Sequence, residues 1–315
     1  MYHIDCLGLV ETNINWKNAM VKHKIQNTFR KYWQKTLIAT SSTSILHTGI
    51  YQPGGTLSLV GDKWTGGGRI YEDTSGLGRW TELRLHGRQK RQLSIITVYR
   101  VPYTTIAHAG TNTSYYHQWH HLRRQKHKAP DPRAQVLQDL GEYIELLQAD
   151  YHAILIMIDA NESYDERNSS LQKWITLHDL KDVHQYLHQY NTTISTYARG
   201  TKRIDYIFAT DNILPYVLKG GILPFHFLKT TDHRALYVEI DLQKFLRCQV
   251  ATSTTQRNRL LTSRNPRGIK RYCHQLTQWL NESSIEQELH NISQYQDDQL
   301  DDAKIHRLEE LDTLS

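Results

Sequence analysis

Ala153-Ile154-Leu155-Ile156-Met157-Ile158, running into Asp159-Ala160-Asn161, is the stretch that decides the fold of this chain. The first six residues are apolar without alternation. That is the pattern of a strand covered on both faces, not of one with a wet face. The run stops abruptly in an acid, a small residue and an amide, with Glu162 next. A buried strand that carries a carboxylate to its tip is costly unless water, a basic side chain or a metal ion pairs with the charge. Two readings stand at this point. The tip is a solvated turn, or it is one corner of a site to which other strands bring acids.

Upstream, Cys6 to Val10 reads as a short buried strand ending in Glu11-Thr12-Asn13. Val21, Ile25, Phe29 and Trp33 recur every fourth residue and predict a helix with one apolar face, the other carrying Lys22, Lys24, Arg30 and Lys31. Strands are expected at Thr36 to Thr40, Thr56 to Val60, Trp80 to Leu85 and Leu93 to Tyr99. Gly66-Gly67-Gly68 is read as a turn, because no Lys-Ser/Thr follows it and no helix opens there. The segment Trp119 to Lys128 is strongly basic, either as a solvated helix face or as a phosphate-backbone contact. Asp131-Pro132 is a helix start, with Val136, Leu137, Leu140, Ile144 and Leu147 as its apolar stripe.

Downstream, Leu171 to Leu177 and Leu180 to Leu187 suggest short helices. Ile194 to Tyr197 and Arg203 to Phe208 are expected to be two strands joined by the turn at Arg199 to Lys202. Leu218 to Leu223 and Ala235 to Ile240 complete the strands. Beyond Asp241 the apolar strands stop. Arg257 to Arg271 is basic; Tyr272, Leu276 and Leu280, then Ile285, Leu289 and Ile292, hint at helices; and the end is acidic, with Ile305, Leu308 and Leu311 in helical spacing. The expected division is a domain over residues 1–245 and a helical linker or tail over 246–315. Helices interleaved with apolar strands and hairpins predict an α/β class, a layered sandwich of two sheets with helices outside.

Composition narrows the partners. The chain has 315 residues with 39% hydrophobic content, and its mean hydropathy is −0.61. No apolar run approaches a membrane span and the first residues lack a signal-peptide pattern, so no membrane partner is expected. A net charge of +6 and a pI near 9.0 favour a polyanionic partner. Cys6, Cys248 and Cys273 show no paired spacing, which speaks against a zinc site or a disulfide framework.

Acids gather at strand ends. Glu11 ends the first strand, Asp159 and Asn161 the central one, and Asp232-His233 immediately precedes the last. In Arg203-Ile204-Asp205-Tyr206-Ile207-Phe208, the residues Ile204, Tyr206 and Phe208 share one face, so Asp205 points to the other beside Ile207. A carboxylate there wants a partner, and a neighbouring imidazole would satisfy it. Glu11, Asp159 and Asp232 offer hard oxygens and Asn161 a neutral one, a set suited to Mg²⁺ or Mn²⁺. Metal, His and a Tyr hydroxyl together make a kit for phosphodiester hydrolysis.

In sequence order these residues resemble the endonuclease/exonuclease/phosphatase superfamily, most of all its retrotransposon-type branch, over about Ile4 to Ile240. The carriers are Leu9-Val10-Glu11-Thr12-Asn13, Tyr99-Arg100-Val101-Pro102, Asp159-Ala160-Asn161-Glu162, Arg203-Ile204-Asp205-Tyr206-Ile207 and Thr231-Asp232-His233-Arg234-Ala235. The resemblance implies a four-layer α/β sandwich, two mixed sheets with flanking helices, followed by a helical tail. It implies Glu11 as a metal ligand, with Asp232 near metal and phosphate. It implies Asp159 as the residue aligning or deprotonating water, Asn161 as its phosphate-oriented partner, and Tyr99 on the scissile phosphate. Asp205 and His233 are implied as a pair whose imidazolium stabilises the phosphorane.

The implied activity is Mg²⁺-dependent nicking of DNA that leaves a 3′-hydroxyl, as in a non-LTR retrotransposon acting on nuclear DNA. A phosphatase or phospholipase of the same superfamily, and an inactive relic that binds DNA, are the alternatives. Three departures from the pattern are expected to matter. The family's first strand and its Asn are not matched ahead of Glu11. Ile158 stands where Gly is usual and is expected to narrow the phosphate site. No reverse transcriptase follows.

Overall fold

The structure is a computed structural model that describes residues 4–44, 51–189, 194–227, 231–248 and 266–283. The chain divides into two compact units, Met1–Ser253 and Thr254–Ser315.

The first unit is built on the predicted central strand. That strand, β7 (Ala153–Asp159), lies between β6 (Gln92–Tyr99), parallel to it, and β9 (Asp205–Ala209), antiparallel to it. With β4 (Gly68–Glu72), β5 (Trp80–His86) and the two-residue β8 (Lys181–Asp182), they form a six-stranded mixed sheet in the order β4-β5-β6-β7-β9-β8. Because side chains alternate across a strand, β7 feeds two cores. Ile154, Ile156 and Ile158 enter one core with Val136, Leu140 and Ile144 of α3 (Pro132–Ala149) and Leu171 and Trp174 of α4 (Ser170–Leu177). Ala153, Leu155 and the partly buried Met157 enter the other, with Val60, Leu83, Leu93, Ile95 and Ile207. This explains the apolar run without alternation.

The second core lies between sheets. β1 (Cys6–Val10), β2 (Thr36–Ser41) and β3 (Thr56–Gly61) make an antiparallel sheet in the order β1-β3-β2, and β10 (Val217–Ile222) and β11 (Leu236–Ile240) make a separate antiparallel pair. The second sheet layer consists of two antiparallel pieces, and β1 and β11 are not paired with each other among the described residues. Gly8 lets the layers approach: a Cβ there would sit 2.6 Å from Thr97 Oγ1 and 2.7 Å from Met157 Cε. A buried hydroxyl seam, Ser58 Oγ to Thr81 Oγ1 at 2.9 Å and to Thr97 Oγ1 at 2.7 Å, keeps the interface's polar groups paired. On the outer face Leu57, Leu59 and Ile38 pack against Ile25 and Phe29 of α1 (Ala19–Phe29), so the order of layers is helix, sheet, sheet, helix.

Three local expectations are corrected. Trp33 lies beyond the end of α1 yet joins the same cluster, its Nε1 donating to Ile4 O at 3.1 Å. Lys181-Asp182 is a strand fragment, and α5 (Val183–His188) starts only after it, capped by Asp182 Oδ1. Ile194 to Tyr197 forms no strand ladder with Arg203 to Phe208; β9 pairs with β7 along its length and with β8 only at Phe208 and Ala209. Instead Thr196 Oγ1 accepts from the amides of Ile204 and Asp205, and Tyr197 bridges to His233.

A short helix α6 (Leu242–Leu246) closes the first unit. The described part of the second unit is α7 (Pro266–Ser283), on which Arg267, Lys270 and Arg271 are exposed. Arg257, Arg259 and Arg264 of the basic stretch, and the later helical hints, lie outside the described residues.

Candidate active site

The register of the large sheet brings three predicted residues to one rung. Tyr99 stands opposite Asp159, and Asp159 opposite Asp205, across β6, β7 and β9. By strand parity all three point to the face between the sheets, the face of Ile95, Met157 and Ile207. All are buried. Ile158 points the opposite way, into the core under α3 and α4, so the expectation that it narrows the site is overturned.

Each loop at the rung is held by named contacts. Asp159 begins a tight turn: Asn161 takes φ +47°, its amide donates to Asp159 Oδ1 at 3.1 Å, and its Nδ2 donates to Arg100 O at 2.8 Å. A left-handed backbone is uncommon outside Gly, but Asn tolerates it. Asp205 is fixed by the Thr196 hydroxyl and by the buried Arg203, whose Nε donates to Asp205 O at 3.2 Å and whose guanidinium pairs with Asp182 at 2.7 Å. Glu11 follows β1 with φ +48°. The next residues are pinned across the sheet, Asn13 N donating to Gly54 O at 2.8 Å and Gly54 N to Asn13 Oδ1 at 2.9 Å. Gly54 takes φ +78° hard against Ser114 and Tyr99, so no side chain fits there.

The predicted Asp–His pair is present: His233 Nδ1 lies 3.0 Å from Asp205 Oδ2 and 3.2 Å from Oδ1. Tyr197 packs against the imidazole with ring centroids 5.0 Å apart. Burial works against a charge on His233, but the hydrogen bond and charge of Asp205, with Asp159 and Asp232 behind them, push its pKa up to about 9. The imidazole is thus an imidazolium at neutral pH. Asp159 is raised too, which for an acid favours the neutral form: burial, then the neighbouring Asp205 charge, hold its carboxyl well above the usual range, against the pull of His233. Glu11 is raised by desolvation and by Asp232, against a hydrogen bond to Tyr99 and the charge of His233. Burial and the charges of Glu11 and Asp159 raise the Tyr99 phenol well above its ordinary value, so it stays a hydrogen-bond donor.

The seven predicted residues do not stand equally. Tyr99, Asp159 and Asp205, all buried, and the partly exposed His233 form the centre, with Asn161 on the turn beside it. Glu11 and Asp232 lie close enough to perturb it electrostatically. Asp232 is half exposed and lies 3.7 Å from Arg199 Nη2. Among the described residues, the group whose ligand atoms come within 4.8 Å of one another is Asp159, Asp205 and His233. The excess of buried carboxylate over the single imidazolium fits a hard divalent cation taking oxygen ligands.

Sequence reasoning did not find the buried cluster of Arg100, Glu162 and Arg133 behind the turn. Arg100 Nη1 donates to Glu162 Oε2 at 2.6 Å and Arg133 Nη2 to the same oxygen at 2.9 Å. Both Arg100 and Glu162 stand within the quoted motifs, but a pairing 62 residues apart leaves no local signal.

The layered α/β sandwich is that of the endonuclease/exonuclease/phosphatase fold. An AP endonuclease from Leishmania major has this fold: the match covers 74% of this chain and 77% of that one, with a TM-score of 0.54 and 14% identity. A 3′-5′ exonuclease from Neisseria meningitidis matches over 75% of this chain and 89% of that one (TM-score 0.49, 14% identity). An AP endonuclease from Archaeoglobus fulgidus matches over 75% and 89% (TM-score 0.48, 15% identity). At 14% identity the likeness to the Leishmania major structure is one of fold. No family model matches the chain, and no curated protein matches it.

Proposed function

We propose that this chain is a divalent-metal-dependent phosphodiesterase, and that its substrate is DNA, which it nicks. The observation that carries the reading is the rung itself: two opposed buried carboxylates, Asp159 and Asp205, one of them paired to a charged His233, beside a protonated Tyr99. A proton acceptor poised above the ordinary carboxylate range and a fixed cation, both largely shielded from water, are what attack on a phosphodiester needs.

In this reading Asp159 orients the attacking water and takes its proton, its raised basicity matching that role. The His233 imidazolium, held by Asp205, donates to a phosphoryl oxygen and stabilises the charge that grows there. Tyr99 donates its hydroxyl toward the phosphate, and the Asn161 amide orients the substrate. Glu11 and Asp232 would hold the cation, Mg²⁺ or Mn²⁺. The cation's chemistry is to polarise the phosphoryl oxygen and stabilise the leaving oxygen.

DNA as substrate is supported by the net charge of +6 and by exposed bases: Lys24 of α1 with Arg30 and Lys31 just beyond it, and Arg123, Arg124, Lys126 and Lys128 at the end of α2 (Ser114–Arg124) and just beyond it. The retrotransposon-type origin rests on the sequence motifs. The test is conversion of supercoiled plasmid to open circle with Mg²⁺ or Mn²⁺ and not with EDTA, followed by polymerase extension from the nick. Extension establishes the 3′-hydroxyl. Turnover of an inositol phosphate or lipid head group without nicking would replace DNA as the substrate.

A further inference from the structure

The turn that carries Asp159 and Asn161 is short, left-handed at Asn161 and built from one strand end, yet its side chains must hold their places to a fraction of an ångström. Beneath it the Arg100 guanidinium is 2% exposed. It donates to Glu162 Oε2 at 2.6 Å, to Ser170 Oγ at 2.9 Å, to Arg133 O at 3.1 Å and to Ala160 O at 3.4 Å. Glu162 is saturated in return. Besides the two arginines it accepts from Ser169 Oγ at 2.6 Å, Ser170 Oγ at 3.0 Å and the Leu171 amide at 3.1 Å. Desolvation opposes its charge, but the Ser169 and Leu171 bonds and Arg100 hold its pKa down at about 2.

The cluster therefore ties the ends of β6 and β7 to the first turns of α3 and α4. Two main-chain bonds carry its geometry to the site. Arg100 N donates to Asp159 O at 3.0 Å, and Arg100 O accepts Asn161 Nδ2 at 2.8 Å. One of the two amide hydrogens of Asn161 is spent there, which fixes the plane in which its remaining polar atoms lie. Neither arginine nor Glu162 belongs to the reacting rung.

We propose that Arg100, Glu162 and Arg133 are positioning residues: the cluster sets the Asn161 amide plane and the seat of Asp159, and so acts on turnover and not on substrate binding. The catalytic part of this inference rests on the phosphodiesterase reading; the geometric part does not. Buried hydrogen-bonded groups around a site typically hold its reacting groups in this way.

The experiment compares Glu162→Gln and Arg100→Lys with Arg84→Gln. The last breaks a different buried cluster, in which Arg84 Nε donates to Glu82 Oε1 at 2.9 Å. Glu162→Gln keeps the shape and loses the charge; Arg100→Lys keeps the charge and loses the fork. Two readouts are taken on folded protein: plasmid nicking as kcat and KM, and the side-chain amide resonances of Asn161 in a ¹⁵N spectrum. Both site variants should lose at least about tenfold in kcat with KM within about twofold, and should move the Asn161 resonances. Arg84→Gln should lower thermal stability and move neither.

Unmoved Asn161 resonances in both site variants would overturn the proposal. So would a loss of kcat no larger than in Arg84→Gln. If the wild type nicks nothing, the phosphodiesterase reading has failed and the Asn161 resonances alone decide the positioning role. If Glu162→Gln does not fold, Arg100→Lys carries the test.

Discussion

Replacing Asp205 with Asn separates the two jobs the carboxylate does for His233. The Asn side chain keeps the shape of the rung and removes the charge 3.0 Å from Nδ1. With that charge present the imidazole titrates at about 9. Without it the pKa falls toward the ordinary value, about 6.5. If turnover needs the imidazolium, the loss depends on pH in a calculable way. At pH 6 both proteins are largely protonated, and the variant loses less than about twofold for this reason. At pH 8 the wild type is about 90% protonated and the variant about 3%, a loss of roughly thirtyfold in the limit of full reversion. Asp159 and Asp232 remain in the variant and reduce that figure. The assay is nicking rate against pH from 5.5 to 9.5, with the His233 pKa read by NMR. The basic limb should move from near 9 toward 7. A loss of the same size at every pH would refute the reasoning, because it would mean that Asp205 acts on geometry or metal alone.

The same shift has a consequence for stability. A His whose folded pKa lies above its unfolded value adds stability that is complete below about 6.5 and is lost as pH rises through about 9. Thermal melts should therefore decline over that window in the wild type and less so in Asp205→Asn. Asp159 has the same sign: its carboxyl is raised as well, so its ionisation also costs stability as pH climbs above the ordinary carboxylate range. Asp159→Asn should raise stability at pH 7 while abolishing nicking, as chemical denaturation beside the nicking assay would show. Gly8→Val should destabilise the first unit by about 1–3 kcal/mol in denaturant melts, since the new side chain meets Thr97 and Met157. Reversing the charge at Arg124 and Lys126 should weaken DNA binding and reduce the slope of log affinity against log salt by about one for each phosphate no longer neutralised.

Much of the fold was legible because burial is written in composition. The six apolar residues ahead of Asp159 have no polar alternation because both faces of β7 are covered, and Asp205 betrayed its direction by breaking the parity of Tyr206 and Phe208. What failed was structure decided by partners. β4 begins within the glycine turn and is an edge strand with Ile70 exposed, so it carries no apolar signature. Ile194 to Tyr197 has strand-like residues, but it meets Ile204 and Asp205 through the Thr196 hydroxyl instead of a main-chain ladder. The site residues were legible one by one from their places at strand ends. Their register, the rung from Tyr99 through Asp159 to Asp205, is a property of pairing that no single segment holds. The Arg100–Glu162–Arg133 cluster was hidden for the same reason, although two of its members sit beside the residues that drew attention.

The most direct measurement is plasmid nicking with Mg²⁺ by the wild type beside Asp159→Ala and His233→Ala, each checked for folding. The expected result is metal-dependent nicking by the wild type and a loss of at least about a hundredfold in each variant, since the two groups act on one phosphate. Equal activity in the variants, or no metal-dependent cleavage by the wild type, would contradict the assignment of this rung as a phosphodiesterase site.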